Sequence, residues 1–218
     1  MSRKIYLIRH GLPDFGNENN QPYYLGGGTD IDLREDQKEK AARLKEYFAD
    51  KGIENWYSSP MKRAVQTLEA FLPEGTDYTV IEEAREISYG EWEGKPKAEY
   101  FPFYQKSFLT ENAPAEAFPK GGESQDHAAR RFLRAVQKSE GSCVLVAHGA
   151  VINLLVCLLE GTPYHRFLDG KNPYLGITCL TESDKGSYTV DFREFVYGDE
   201  VIPDSTYYYR KEMNDGRN

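Results

Sequence analysis

Three short apolar runs, each followed by a stretch with helical spacing, constrain this chain more than any other feature of its 218 residues. The first, "KIYLIR" at 4–9, carries no polar alternation, as a parallel strand covered on both faces requires. A Gly-rich loop follows, and then "LREDQKEKAARLKEYFADKG" places Ala41, Leu44 and Phe48 on one helical face and stops at Gly52. The second run, "NWYSS", precedes "SPMKRAVQTLEAFLP", in which Ser59 reads as N-cap and Pro60 as the first helical residue. A third strand is expected near "YTVIE". The last of the three runs, "CVLVA", lies between a helix starting near Ser124 and the helix "AVINLLVCLLEG" closed by Gly161. This is α/β alternation around a mostly parallel sheet.

Two segments depart from that rhythm. Residues 95–123 are rich in proline and aromatics and offer only short helical possibilities, so they read as an inserted lid within a single domain spanning 1–218. Near the end, "LGITCLTES", the turn "DKG" and "SYTVDFREF" predict an antiparallel hairpin at the sheet edge, with fraying expected beyond Tyr209.

Charge narrows the partners. Against 27 basic residues stand 35 acidic ones, a net charge of −8, so no global field draws the protein to nucleic acid or to an anionic membrane, and any anion site must be a local basic island. No apolar run is long enough for a signal peptide or membrane span, which suits a cytoplasmic protein. Cys143, Cys157 and Cys179 sit in apolar patterns at wide spacing and read as reduced core thiols.

Open α/β sheets bind ligands beyond the carboxyl ends of their strands, where helix N-termini present free N–H groups. Three stretches occupy such positions: Arg9-His10-Gly11 after the first strand, "SSPMKR" with Arg63 after the second, and Ala147-His148-Gly149 at the start of a helix. Two arginine forks, two imidazoles and close-approaching glycines suit a tetrahedral oxyanion, so the inferred pocket is a phosphate site. A neutral imidazole there can attack phosphorus. The leaving oxygen then needs a proton, and Glu86, Glu91 and Glu93 in "EAREISYGEWEG" are the candidate acids, because a carboxylate beside a phosphate repels it and makes a poor anchor.

Taken together, "LIRHG", "SSPMKRAVQT", "EISYGEWEG" and "VAHGAVI" resemble, in order and spacing, the histidine phosphatase superfamily with its phosphoglycerate-mutase-like fold. The resemblance covers most of the chain and implies a three-layer α/β/α sandwich that works without metal or other cofactor. It implies His10 as the phosphorylated nucleophile, Arg9, Arg63 and His148 as holders of the phosphoryl oxygens, and Glu86 as proton donor. In the loop after "RHG" the match loosens: Leu12 and Pro13 replace the usual polar residues, and Asn17 is one residue out of step with a phosphate-contacting Asn. "GGTDIDL" resembles a turn of bacterial phosphatases, with Asp32 in place of proline; Gly27 and Thr29 either face the phosphate or build a structural turn. His127 and His165 are assigned structural or solvated roles.

The expected reaction is hydrolysis of a small phosphomonoester, by an enzyme akin to the α-ribazole and broad-specificity phosphatases of this superfamily. A cofactor-dependent phosphoglycerate mutase is the alternative, but it needs a second basic cluster, and the lid offers no Arg, only Lys95, Lys97, Lys106 and Lys120. The lid aromatics Tyr100, Phe101, Phe103, Tyr104, Phe108 and Phe118 suit a partly apolar substrate or, equally, a satellite core. A third alternative is a module that binds a phospho-ligand or protein without turnover.

Overall fold

In a computed structural model, residues 2–17, 20–113, 118–169, 172–184, 186–197 and 200–203 are described, the last two stretches by backbone alone from 195 onward. The expectation for residues beyond Tyr209 lies outside them, as does part of the 95–123 segment. The three apolar runs form β1 (Arg3–Arg9), β2 (Asn55–Ser58) and β4 (Cys143–Ala147), and the third expected strand is the short β3 (Thr79–Val80). The hairpin is β5 (Ile177–Asp184) with β6 (Ser187–Tyr197), and β7 (Glu200–Pro203) pairs on its outer side. The sheet order is β3-β2-β4-β1-β5-β6-β7, with β3, β2, β4 and β1 parallel and the remaining pairings antiparallel.

Alternate residues of the central strands feed opposite layers, as the pleat demands. Ile5, Leu7, Cys143 and Leu145 pack with α5 (Gln125–Lys138) and α6 (Gly149–Glu160). Tyr6, Ile8, Val144 and Val146 pack on the other side with residues of α1 (Glu35–Ala42), α2 (Leu44–Phe48) and α3 (Lys62–Glu69). Both faces of the sheet are covered, which explains strands without polar alternation and gives the three layers. All three cysteines are buried free thiols, and among the described residues no helix is long and apolar enough to cross a membrane.

Three local expectations are corrected. The first helix is divided at Arg43, whose φ of −63° and ψ of −26° preserve the helical course between α1 and α2. The second starts at Lys62 rather than Pro60, with extended Met61 before it; the Ser59 hydroxyl reaches the Met61 N–H at 3.4 Å. The lid holds a twelve-residue helix, α4 (Lys97–Phe108), where only short pieces were expected. Pro102 forfeits one ladder bond inside it, but Tyr100, Tyr104 and Phe108 recur at four-residue spacing and pack as one stripe against Trp92, with ring centroids 5.8–6.0 Å apart. Tyr104 also meets Tyr24 and Tyr89, so burial of this stripe outweighs the proline.

Candidate active site

β1 sends its chain to β2 across the neighbouring β4, so the carboxyl ends of β1 and β4 frame a topological switch point. Arg9 and Ala147 are register partners there. The residues after them, His10 and His148, therefore stand side by side, with ring centroids 5.1 Å apart. Arg63 joins from the first turn of α3, its Nε donating to His10 Nε2 at 3.3 Å. Glu86 comes from the segment before Tyr89 and lies across the N-terminus of α6: Oε1 accepts from the Ile87 and Val151 N–H groups at 3.0 and 3.1 Å, and Oε2 from Ala150 at 3.2 Å. A carboxylate is stabilised there by the free N–H groups of the helix's first turn. All five expected site residues thus converge.

The state of His10 follows from its contacts. Its Nδ1 lies 2.6 Å from the Gly11 carbonyl, which can only accept, so Nδ1 carries the proton. Nε2 then keeps its lone pair, consistent with the Arg63 N–H directed at it. Burial, then the charges of Arg63 and Arg9, hold the imidazole well below its ordinary value of 6.5 and keep it neutral. His148 is neutral for the same reasons, burial first and then Arg63. Its Nε2 is paired with the Ser59 hydroxyl at 2.8 Å.

The two arginines are fixed by uncharged groups. Arg63, fully buried, donates to the carbonyls of Thr29 at 3.0 Å and Gly26 at 3.5 Å, and burial lowers it to about 10 despite the Glu86 charge. Arg9 donates to the Asn172 carbonyl at 2.5 Å. Two nitrogens of cavity-lining residues, Arg9 Nε and Asn172 Nδ2, and His148 Nδ1 beside His10 find no hydrogen-bond partner among the described residues. A buried polar group left unmet costs about 1–3 kcal/mol, and Arg9 Nε and Asn172 Nδ2 are N–H donors.

The cavity is about 220 Å³, and Arg9, His10, Glu86, Lys97, Asn153 and Asn172 supply its polar wall. Phe15, Tyr23, Leu25, Phe167, Leu168 and Tyr174 supply much of the apolar wall. None of the lid aromatics lines it; among the described residues of 95–123, Lys97 alone does. Of the two readings of the lid aromatics, the packing one is the one seen: Tyr104 belongs to the core layer that holds Ile5 and Leu7, with Tyr100, Phe101 and Phe108 packed against it, and Phe103 and Phe118 are exposed.

Several other sequence candidates are structural. Glu93 straps two loops together, accepting from the Thr29 hydroxyl at 2.7 Å, the Gly28 N–H at 3.2 Å and the Tyr89 N–H at 3.3 Å. Thr29 is thereby a turn residue. Gly27 is required because a Cβ there would come within 2.6 Å of the Glu86 carbonyl. Glu91 is exposed. Asn17 ties its own loop to the backbone of Gln21. His127 pairs with Glu123 at 2.7 Å.

Sequence reasoning passed over Asn153, Asn172 and Tyr174. Asn153 had a usable signal, a lone amide in the apolar run of α6. Asn172 and Tyr174 lie in a loop between α6 and β5 with no periodicity to mark them.

Comparison with known proteins comes to the same place. The family model described as histidine phosphatase superfamily (branch 1) matches residues 5–194. A putative phosphoserine phosphatase 2 from Hydrogenobacter thermophilus is 31% identical over 165 residues, covering 73% of this chain and 79% of the relative. A glucosyl-3-phosphoglycerate phosphatase from Mycolicibacterium vanbaalenii is 28% identical over 174 residues, covering 74% and 76%. Among solved structures, YhfR of Bacillus stearothermophilus superposes with a TM-score of 0.71 at 27% identity, covering 86% of this chain and 95% of that one.

Proposed function

This chain belongs to the histidine phosphatase superfamily, and from that membership and the cavity's geometry we propose that it hydrolyses a small phosphomonoester through a phosphohistidine on His10. The observation that carries this reading is the His10 imidazole itself: neutral, with its proton on Nδ1 held by Gly11, and with Nε2 unprotonated beside two guanidinium groups.

In the first step the Nε2 lone pair forms a bond to phosphorus as the P–O bond to the leaving group breaks. Arg9, Arg63 and the unmet nitrogens of His148 and Asn172 hold the equatorial oxygens and offset the charge developing there. Positive charge appears on the imidazole, and the Gly11 carbonyl on Nδ1–H stabilises it. Glu86 passes a proton to the departing oxygen; a substrate entering as its monoanion brings that proton with it. Water then attacks phosphorus, Glu86 takes the water's proton, and the P–N bond breaks to restore His10. No metal enters this scheme, because Arg9, Arg63 and Lys97 supply the positive charge, and chelators are expected to leave activity intact. α4 and its flanking residues act as the lid, with Lys97 bringing an ammonium over the substrate's alcohol portion.

The test is turnover of two substrates by three proteins. His10→Ala should abolish hydrolysis of both p-nitrophenyl phosphate and an alkyl phosphate. Glu86→Gln should slow formation of the phosphohistidine from the alkyl ester by roughly 10²–10⁴ and from p-nitrophenyl phosphate much less, since p-nitrophenolate departs without a proton, while the water step common to both esters slows alike. Equal losses in the rate of phosphohistidine formation from both esters would remove Glu86 from the acid role.

A further inference from the structure

We propose that Tyr174 is a positioning residue for Arg9, a role that rests on the reading of this cavity as a phosphate site. The molecule holds its arginines in two ways. Arg131, away from the cavity, is neutralised by Glu123 at 2.7 Å, and Arg3 by Glu182 at 2.5 Å. Arg9 forms no ion pair among the described residues. Its guanidinium instead lies over the Tyr174 ring, with Cζ 3.9 Å from the ring centroid, while the Asn172 carbonyl takes one N–H at 2.5 Å. A carboxylate partner would cancel the charge a dianion needs, whereas an aromatic face and a carbonyl fix the fork and leave the charge available.

The segment carrying Tyr174 is tied to the strand that carries Arg9. The Arg9 N–H donates to the Gly176 carbonyl at 2.9 Å, and the Leu175 N–H returns to the Arg9 carbonyl at 3.0 Å. To make that return Leu175 adopts φ +63°, a left-handed conformation that a γ-branched side chain takes only when its surroundings enforce it. Gly176 bonds back to Pro173 at 3.0 Å and closes the turn. Residues 172–176 therefore wrap Arg9 from backbone to guanidinium. Behind the fork stands α6, where a Cβ on Gly149 would lie 2.9 Å from Arg9 Nε. The guanidinium is confined between the tyrosine ring and the start of that helix.

The test reads affinity for inorganic phosphate by titration calorimetry, which needs no turnover, so a protein that binds phosphate without hydrolysing esters still tests this role. Tyr174→Phe keeps the ring and should change phosphate affinity less than twofold. Tyr174→Leu removes it and should weaken phosphate roughly three- to thirtyfold, with KM for p-nitrophenyl phosphate rising more than kcat falls. In an Arg9→Lys background, where the planar fork is already lost, Tyr174→Leu should cost clearly less than in the wild type. Thermal unfolding of the free proteins accompanies each titration. Equal losses in the Phe and Leu variants, or a Leu loss undiminished beside Arg9→Lys, would overturn the role, as would a Leu variant that binds phosphate like the wild type.

Discussion

At the scale of single residues the site is a problem in placing positive charge without neutralising it. Lys97 extends the solution beyond the phosphate. Burial, and then the nearby Arg9 charge, lower its ammonium to about 8, with Glu86 partly opposing. An amine lowered in this way is cationic below that value and neutral above it, so its attraction for an anionic substrate fades as pH rises through about 8. kcat/KM for the free enzyme should therefore fall on the alkaline side with an apparent value near 8, and Lys97→Met should erase that limb. An alkaline limb unchanged in the variant would assign the titration elsewhere. His10, held neutral well below 6.5, does not itself limit activity between pH 6 and 8.

At the scale of elements the question is how Glu86, on an irregular segment, is held opposite the N-terminus of α6. α5 provides the clamp. Arg131 reaches out of that helix to the carbonyls of Glu83 at 2.6 Å, Arg85 at 2.9 Å and Glu86 at 3.3 Å, while Glu123 pairs with it from just before the helix. Both side chains of this pair are largely buried, with 15% and 12% exposure. Removing one member of a buried pair costs about 3–5 kcal/mol, and here it also releases three carbonyls. Arg131→Leu is accordingly expected to lower unfolding stability by about 3 kcal/mol in urea titrations and, in the protein that remains folded, to slow phosphohistidine formation from an alkyl phosphate more than from p-nitrophenyl phosphate. A variant that loses stability but keeps full activity on both esters would show that the clamp does not position the acid.

At the scale of the whole molecule, the legible parts of the sequence are those where period and chemistry coincide. The apolar runs at 4–9, 55–59 and 143–147 report burial on both faces, and that is a property of the sheet as a whole. Arg9, His10, Arg63 and His148 were legible because each sits at an end of a regular element, where the topology brings them together, whereas Glu86 was separated from Glu91 and Glu93 only by the family resemblance. α4 was obscured by Pro102, although the spacing of Tyr100, Tyr104 and Phe108 carried its signal. The apolar wall was not legible for a deeper reason: Phe15, Tyr23, Phe167 and Tyr174 come from loops whose approach is set by tertiary contacts such as the backbone bonds of Tyr24 with Gly94 and Lys95, and no local pattern encodes these. Covalent phosphorylation of His10 during turnover is read by acid-free rapid quench followed by mass spectrometry of the His10 peptide. An acid-labile, base-stable phosphoryl adduct is expected on His10 in the wild type during hydrolysis of p-nitrophenyl phosphate, more abundant as substrate is raised. Steady hydrolysis by the wild type with that peptide unmodified throughout, or continued turnover by His10→Ala, would contradict it.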